Sequence, residues 1–162
     1  MKVVYVAGPY RGKNNWEIEN NIRRAEEVAL RIWRTGKAAV ICPHTETRFF
    51  QGAAPDEIWL DGTLELLRRC DAIFLLPGWL DSVGTRSERH EAIHRGLRVF
   101  ARFNDLLRWL DECEEADQNN DAFRKDAHRG EMPVDIDTHD VPRLKPHIAY
   151  EGNYANVIWE LR

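Results

Sequence analysis

The sequence contains nothing near the about 20 consecutive apolar residues that a membrane-spanning helix needs. Its N-terminal run, Val3-Val4-Tyr5-Val6-Ala7, is too short for a secretory leader. Cysteine is scarce: Cys42, Cys70 and Cys113 stand far apart, with no C-x-x-C pair among them. An odd, sparse set argues for reduced thiols rather than a disulfide framework, so a cytoplasmic protein with no membrane partner is expected. A basic excess is missing as well. The net charge of −4 speaks against a nucleic acid polymer as the main partner. It leaves room for a single nucleotide, which needs only one or two positive groups and some backbone amides. Internal repeats are absent. What is present, 162 residues with 43% hydrophobic and 31% charged side chains, fits one globular domain with a proper core and an appended tail.

Apolar patterning divides the first 115 residues into alternating elements. Short β-branched or apolar runs at 3–7, 38–42, 71–76 and 97–101 read as buried strands, each ended by a glycine, a proline or a polar loop. Between them, 16–34 carries Ile18, Ile22, Ala25, Val28, Ala29 and Ile32 at helical spacing, with Asn14 or Asn15 as N-cap and Gly36 as the stop. Further helices are expected at 56–69, with Ile58, Leu64 and Leu67 inward, at 85–95, and at 105–115. The alternation predicts a flavodoxin-like or Rossmann-like α/β fold, an open parallel sheet with helices on both faces. Residues 116–162 are expected to form an irregular C-terminal segment, polar to 146 and apolar again after His147. In such sheets ligands bind beyond the carboxyl ends of the strands, which directs attention to loops 8–15, 43–55 and 77–85.

The richest of these is Leu76-Pro77-Gly78-Trp79-Leu80-Asp81-Ser82-Val83-Gly84-Thr85-Arg86-Ser87-Glu88. It leaves a strand, turns through glycine and serine, and enters a helix whose amides favour an anion such as phosphate. Ser82 adds a hydroxyl, Gly84 lets backbone approach closely, and Thr85 starts the expected helix. Glu88 then falls in its first turn, where the helix dipole favours the ionised carboxylate that a nucleophile must be. A plainer reading competes: Thr85-x-x-Glu88 is also a capping box, in which Glu88 folds back onto the Thr85 amide.

Taken together, Tyr5-x-Ala7-Gly8-Pro9, Asp71-Ala72 and Ser82-x-Gly84-x-x-x-Glu88 resemble the nucleoside 2-deoxyribosyltransferase-like superfamily. That superfamily includes hydrolases of deoxynucleoside 5′-monophosphates and an uncharacterised phage and bacterial branch, which Leu76-Pro77-Gly78-Trp79 matches most. The likeness spans about residues 3 to 101. It implies an N-glycosidase that acts on a small nucleotide or nucleoside with no metal or organic cofactor, in a homo-oligomer whose sites borrow residues from a neighbour. It further implies that Glu88 attacks the anomeric carbon, that Tyr5 orients it, and that an aspartate before the third strand serves the departing base. Asp61 is the candidate for that aspartate, with a solvated helix charge as its alternative. Ser82, where the nucleoside transferases carry an acid, implies a 5′-monophosphate, with Gly8, Pro9, Arg11, Gly84 and Thr85 around the substrate. Asp81 keeps the transferase reading open.

Outside that set, His44 sits where a base or sugar would be contacted, or simply caps a strand end. Phe49, Phe50 and Trp59 stack on a base or belong to the core. Asn153, Tyr154 and Asn156 are candidates for donation to a neighbouring subunit. His90-Glu91-Ala92-Ile93-His94 is a literal H-E-x-x-H, the zinc-protease pattern. Its helix is short, Arg95 follows directly, and no third ligand stands at a diagnostic spacing. Two more alternatives remain: a nucleotide-sensing module in which Glu88 is only a cap, and a phosphoribohydrolase, whose Pro-Gly-Gly-x-Gly-Thr-x-x-Glu turn has Trp79 for its second glycine here and five residues, 79–83, between Gly78 and Gly84.

Overall fold

The computed structural model describes residues 1–48 and 50–128, with side chains as far as position 119. The element order is β1 (Lys2–Ala7), α1 (Asn15–Trp33), β2 (Ala38–Ile41), α2 (Pro43–Glu46), α3 (Asp56–Leu67), β3 (Ala72–Leu75), a 3₁₀ turn (Trp79–Asp81), α4 (Val83–His94), β4 (Arg98–Phe100) and α5 (Phe103–His128). The four strands are all parallel and ordered β2-β1-β3-β4. That is the flavodoxin-like order over its first four strands, as the alternating pattern leads one to expect.

Alternation along β1 assigns the two faces. Val4 and Val6 point into a cluster with Ala25, Ala29 and Ile32 of α1 and Leu106 and Leu110 of α5. Tyr5 and Ala7 point the other way, into a cluster with Leu67 of α3, Ile73 and Leu75 of β3, and Ala92 of α4. Period 2 in the strand thus sends a tyrosine, not an aliphatic residue, into the α3/α4 side. Asp71 ties the sheet together at its base. Its carboxylate accepts the Val3 amide at 2.7 Å, its own amide reaches the Val3 carbonyl and its carbonyl accepts from Arg98.

Local chemistry explains the boundaries. The Asn14 side chain accepts the Glu17 amide at 3.0 Å and starts α1, while Gly36 takes a positive φ of 71° just past its end. Loop 43–55, expected to be irregular throughout, contains the short helix α2 and an isolated bridge between Gln51 and Ala54. Helix α5 runs on through positions 116–128, where an irregular segment was expected. Once nucleated against the core by Leu106 and Leu110, a helix extends at little cost even through polar sequence. The face of α3 also differs. Thr63 and Leu67 are buried and Leu64 is half-buried, whereas Ile58 is 55% exposed. Residues 58 and 67 lie nine apart, about 180° around a helix, so they cannot share a face.

Candidate active site

The strand order reverses between β1 and β3, so the crevice of interest lies between the loops that leave them. The two loops are packed tightly together. A Cβ placed on Gly8 would lie 2.5 Å from Leu76 Cδ1 and 2.8 Å from its Cβ, so only glycine lets the chain pass. Gly78, with a φ of 83°, turns β3 outward beside the Pro9 ring.

Beneath that crevice the Tyr5 hydroxyl donates to Glu88 Oε1 at 2.7 Å. Tyr5 is fully buried and Glu88 half-buried. Burial pushes the Glu88 carboxyl up to about 7, and the Tyr5 hydrogen bond works against that rise. The phenol is raised well above its ordinary value, first by burial, then by the Glu88 charge and hydrogen bond, with the Thr63 hydroxyl opposing. Among the described residues no cation pairs with Glu88.

Two expectations about Glu88 are corrected here. Helix α4 begins at Val83, two residues early, because Ser82 is the cap: its Oγ accepts the Thr85 amide at 3.3 Å and the Thr85 hydroxyl at 2.9 Å. Glu88 therefore sits in the second turn, beyond the reach of the helix dipole, and burial sets its protonation instead. The capping box is not formed, since the Thr85 amide belongs to Ser82 and Glu88 reaches across to Tyr5.

The other anticipated residues divide. Ser82 is half-buried at the mouth of α4, and the Val83 and Gly84 amides have no partner among the described residues. A Cβ on Gly84 would meet nothing within 4 Å, so the chain's own packing does not require that glycine. Thr85, 1% exposed and bonded to Ser82, is a structural residue that a substrate cannot reach. Arg11 is exposed and paired with Asp56 at the start of α3. His44 is buried and neutral: burial lowers its pKa, and its Nε2 lies 3.1 Å from the Pro9 carbonyl, beside the Tyr10 ring. Phe50 and Trp59 pack together with centroids 5.3 Å apart. Phe49, Asn153, Tyr154 and Asn156 lie outside the described residues.

Asp61 does not join the site. It is exposed on α3, whereas Thr63, two residues on and about 200° around the helix, is buried on the face shared with Leu67, its hydroxyl donating to the Leu60 carbonyl at 3.1 Å. Thr63 is the residue that the sequence did not single out. A polar side chain on the apolar face shared with Leu67, one turn later, was the available signal. The H-E-x-x-H pattern is also accounted for: Glu91 Oε1 is held by Arg68 at 2.7 Å and Arg95 at 3.1 Å, while His90 and His94 face solvent. Among the described residues no three metal-ligating side chains gather, and no helix is long and apolar enough to cross a membrane. A cavity of about 420 Å³ between β4 and α5 shares no residue with the Tyr5–Glu88 pair.

Comparison with known proteins gives a sequence family and distant structural likenesses. No curated protein matches the chain. A 2-deoxyribosyltransferase from the psychrotolerant bacterium Bacillus psychrosaccharolyticus, described as a biocatalyst for nucleoside synthesis, is 19% identical over 60% of this chain and 69% of its own, with a TM-score of 0.45. Residues 2–101, the whole sheet and the Tyr5–Glu88 site, match one family model, and the chain belongs to that family, described as Domain of unknown function (DUF4406).

Proposed function

We propose that this protein is an N-glycosidase that cleaves the bond between base and sugar in a nucleoside 5′-monophosphate, with Glu88 as nucleophile. The observation that carries the reading is the 2.7 Å hydrogen bond from the buried Tyr5 hydroxyl to Glu88 below the switch-point crevice. A half-buried carboxylate with no cationic partner among the described residues costs stability, which supports a functional role for it. Cleavage at an anomeric carbon passes through an oxocarbenium-like state, which a nearby carboxylate stabilises and then captures. Tyr5 fixes one carboxylate oxygen and lowers the proton affinity of Glu88, leaving the other oxygen for the sugar. The free amides of Val83 and Gly84 and the Ser82 hydroxyl suit a phosphate at the start of α4. Reading Glu88 as a mere cap loses its support, because the capping bond is made by Ser82.

The test is chromatographic detection of free base from ribo- and deoxynucleosides and their 5′-monophosphates. Release from monophosphates, lost in Glu88→Ala with the fold intact, is the expected result. Release only when an acceptor base is added would make the protein a transferase. Saturable nucleotide binding without any release would reduce it to a sensing module.

A further inference from the structure

A neutral purine or pyrimidine leaves its sugar as an anion unless something protonates it, so enzymes that cleave such bonds place a second acid opposite the nucleophile. Here α3 turns Thr63, not an acid, to its buried face, and Asp61 lies on the solvent side of the same helix. Of the other acids on the surrounding loops, Asp81 is exposed, the Glu46 carboxylate accepts the Cys42 amide at 3.2 Å, and Asp56 is committed to Arg11. Its pairing also cancels the one arginine charge in the loop after β1. His44 is neutral, held against the Pro9 carbonyl, and Arg86 is turned away onto the Leu80 carbonyl. Glu88 is thus a carboxylate with a phenol and no cation beside it among the described residues. Its ionised form is favoured when a positive charge is brought in, and burial otherwise leaves it partly protonated near neutral pH.

Both features fit the same ligand chemistry. We propose that the substrates of this site are N-ribosyl pyridinium compounds, such as nicotinamide nucleosides and nucleotides, whose leaving ring carries its own positive charge beside Glu88. The inference rests on the N-glycosidase reading above. In the step it describes, the bond from C1′ to the ring nitrogen breaks and its electron pair stays on nitrogen, giving a neutral pyridine. A Glu88 oxygen bonds to C1′, so the charges of carboxylate and ring cancel and no proton is needed. Water then cleaves the ribosyl ester, its oxygen remaining on C1′, and one proton passes to solvent as Glu88 is restored to carboxylate. The half-buried Tyr10 ring and the Phe50–Trp59 pair offer aromatic faces of the kind that accept a cationic ring.

The experiment compares the full chain on nicotinamide mononucleotide and on AMP, GMP, CMP and UMP with their deoxy forms, with Glu88→Gln as the control for contaminating activity. Nicotinamide should be released with a kcat/KM at least about 100-fold above that for any neutral base, and the rate across substituted pyridines should rise steeply as the free pyridine becomes less basic. Purine or pyrimidine release as fast as nicotinamide release would overturn the pyridinium assignment while leaving the N-glycosidase reading standing. No release from either class would overturn both.

Discussion

Replacing Glu88 by glutamine should make the protein more stable while removing its activity, and the gain should depend on pH in a defined way. The carboxyl titrates at about 7 in the fold against an ordinary value of 4.5. Between those values the unfolded chain has lost the proton that the folded chain still holds, so wild-type stability falls as pH rises through this window. The loss is complete above about pH 7. At about 1.36 kcal/mol per pKa unit it has an upper bound of roughly 3 kcal/mol, and partial exposure of Glu88 reduces this to about half. Glutamine keeps an acceptor for the Tyr5 hydroxyl and cannot ionise, so its stability lacks this decline. Urea unfolding of both proteins at pH 5 and pH 8 measures the effect directly. The advantage of Glu88→Gln should grow by about 1–3 kcal/mol between the two, equivalent to several degrees in Tm. An advantage that does not change with pH, or a variant less stable at pH 8, would refute the reasoning that burial governs this carboxylate.

Three further substitutions probe the surroundings. Tyr5→Phe removes the hydrogen bond that lowers the Glu88 pKa, so the acid limb of the kcat profile should move to higher pH, read from initial rates between pH 5 and 9. Ser82→Ala removes the α4 cap. It should cost about 0.5–2 kcal/mol in unfolding experiments and raise KM for monophosphates more than for nucleosides. Gly8→Ala drives a methyl group into Leu76 and should destabilise by about 1–3 kcal/mol, with a matching drop in Tm by calorimetry.

Much of the fold was legible because strand and helix periods differ. The runs around Val3, Ala38, Asp71 and Leu97 mark the four strands, and the spacing of Ile22, Ala25, Ala29 and Ile32 marks α1. Errors came where a side chain competes with the backbone. Ser82 captures the Thr85 amide and begins α4 early, so a motif that reads as Thr85-x-x-Glu88 capping becomes Ser82-x-x-Thr85 capping. That shift changes the account of Glu88 from dipole-favoured anion to buried acid. On α3 the deviation is rotational: Asp61 has the right chemistry, but Thr63 has the right angle. The Tyr5–Glu88 contact joins residues 83 apart in sequence. No local pattern contains it, and only the family resemblance carried by the motifs together implied both partners.

The central claim, that Glu88 becomes bonded to the sugar, is tested most directly by trapping. A 2-deoxy-2-fluoro sugar slows hydrolysis of the ribosyl ester by destabilising the oxocarbenium-like state. The protein would be incubated with 2-deoxy-2-fluoroarabinosyl 5′-monophosphates of nicotinamide and of the common bases, and its mass followed together with released base. The expected result is a stoichiometric sugar-phosphate adduct that maps to Glu88 and is absent from Glu88→Gln. Base release with no adduct, or an adduct that persists in Glu88→Gln, would contradict the account.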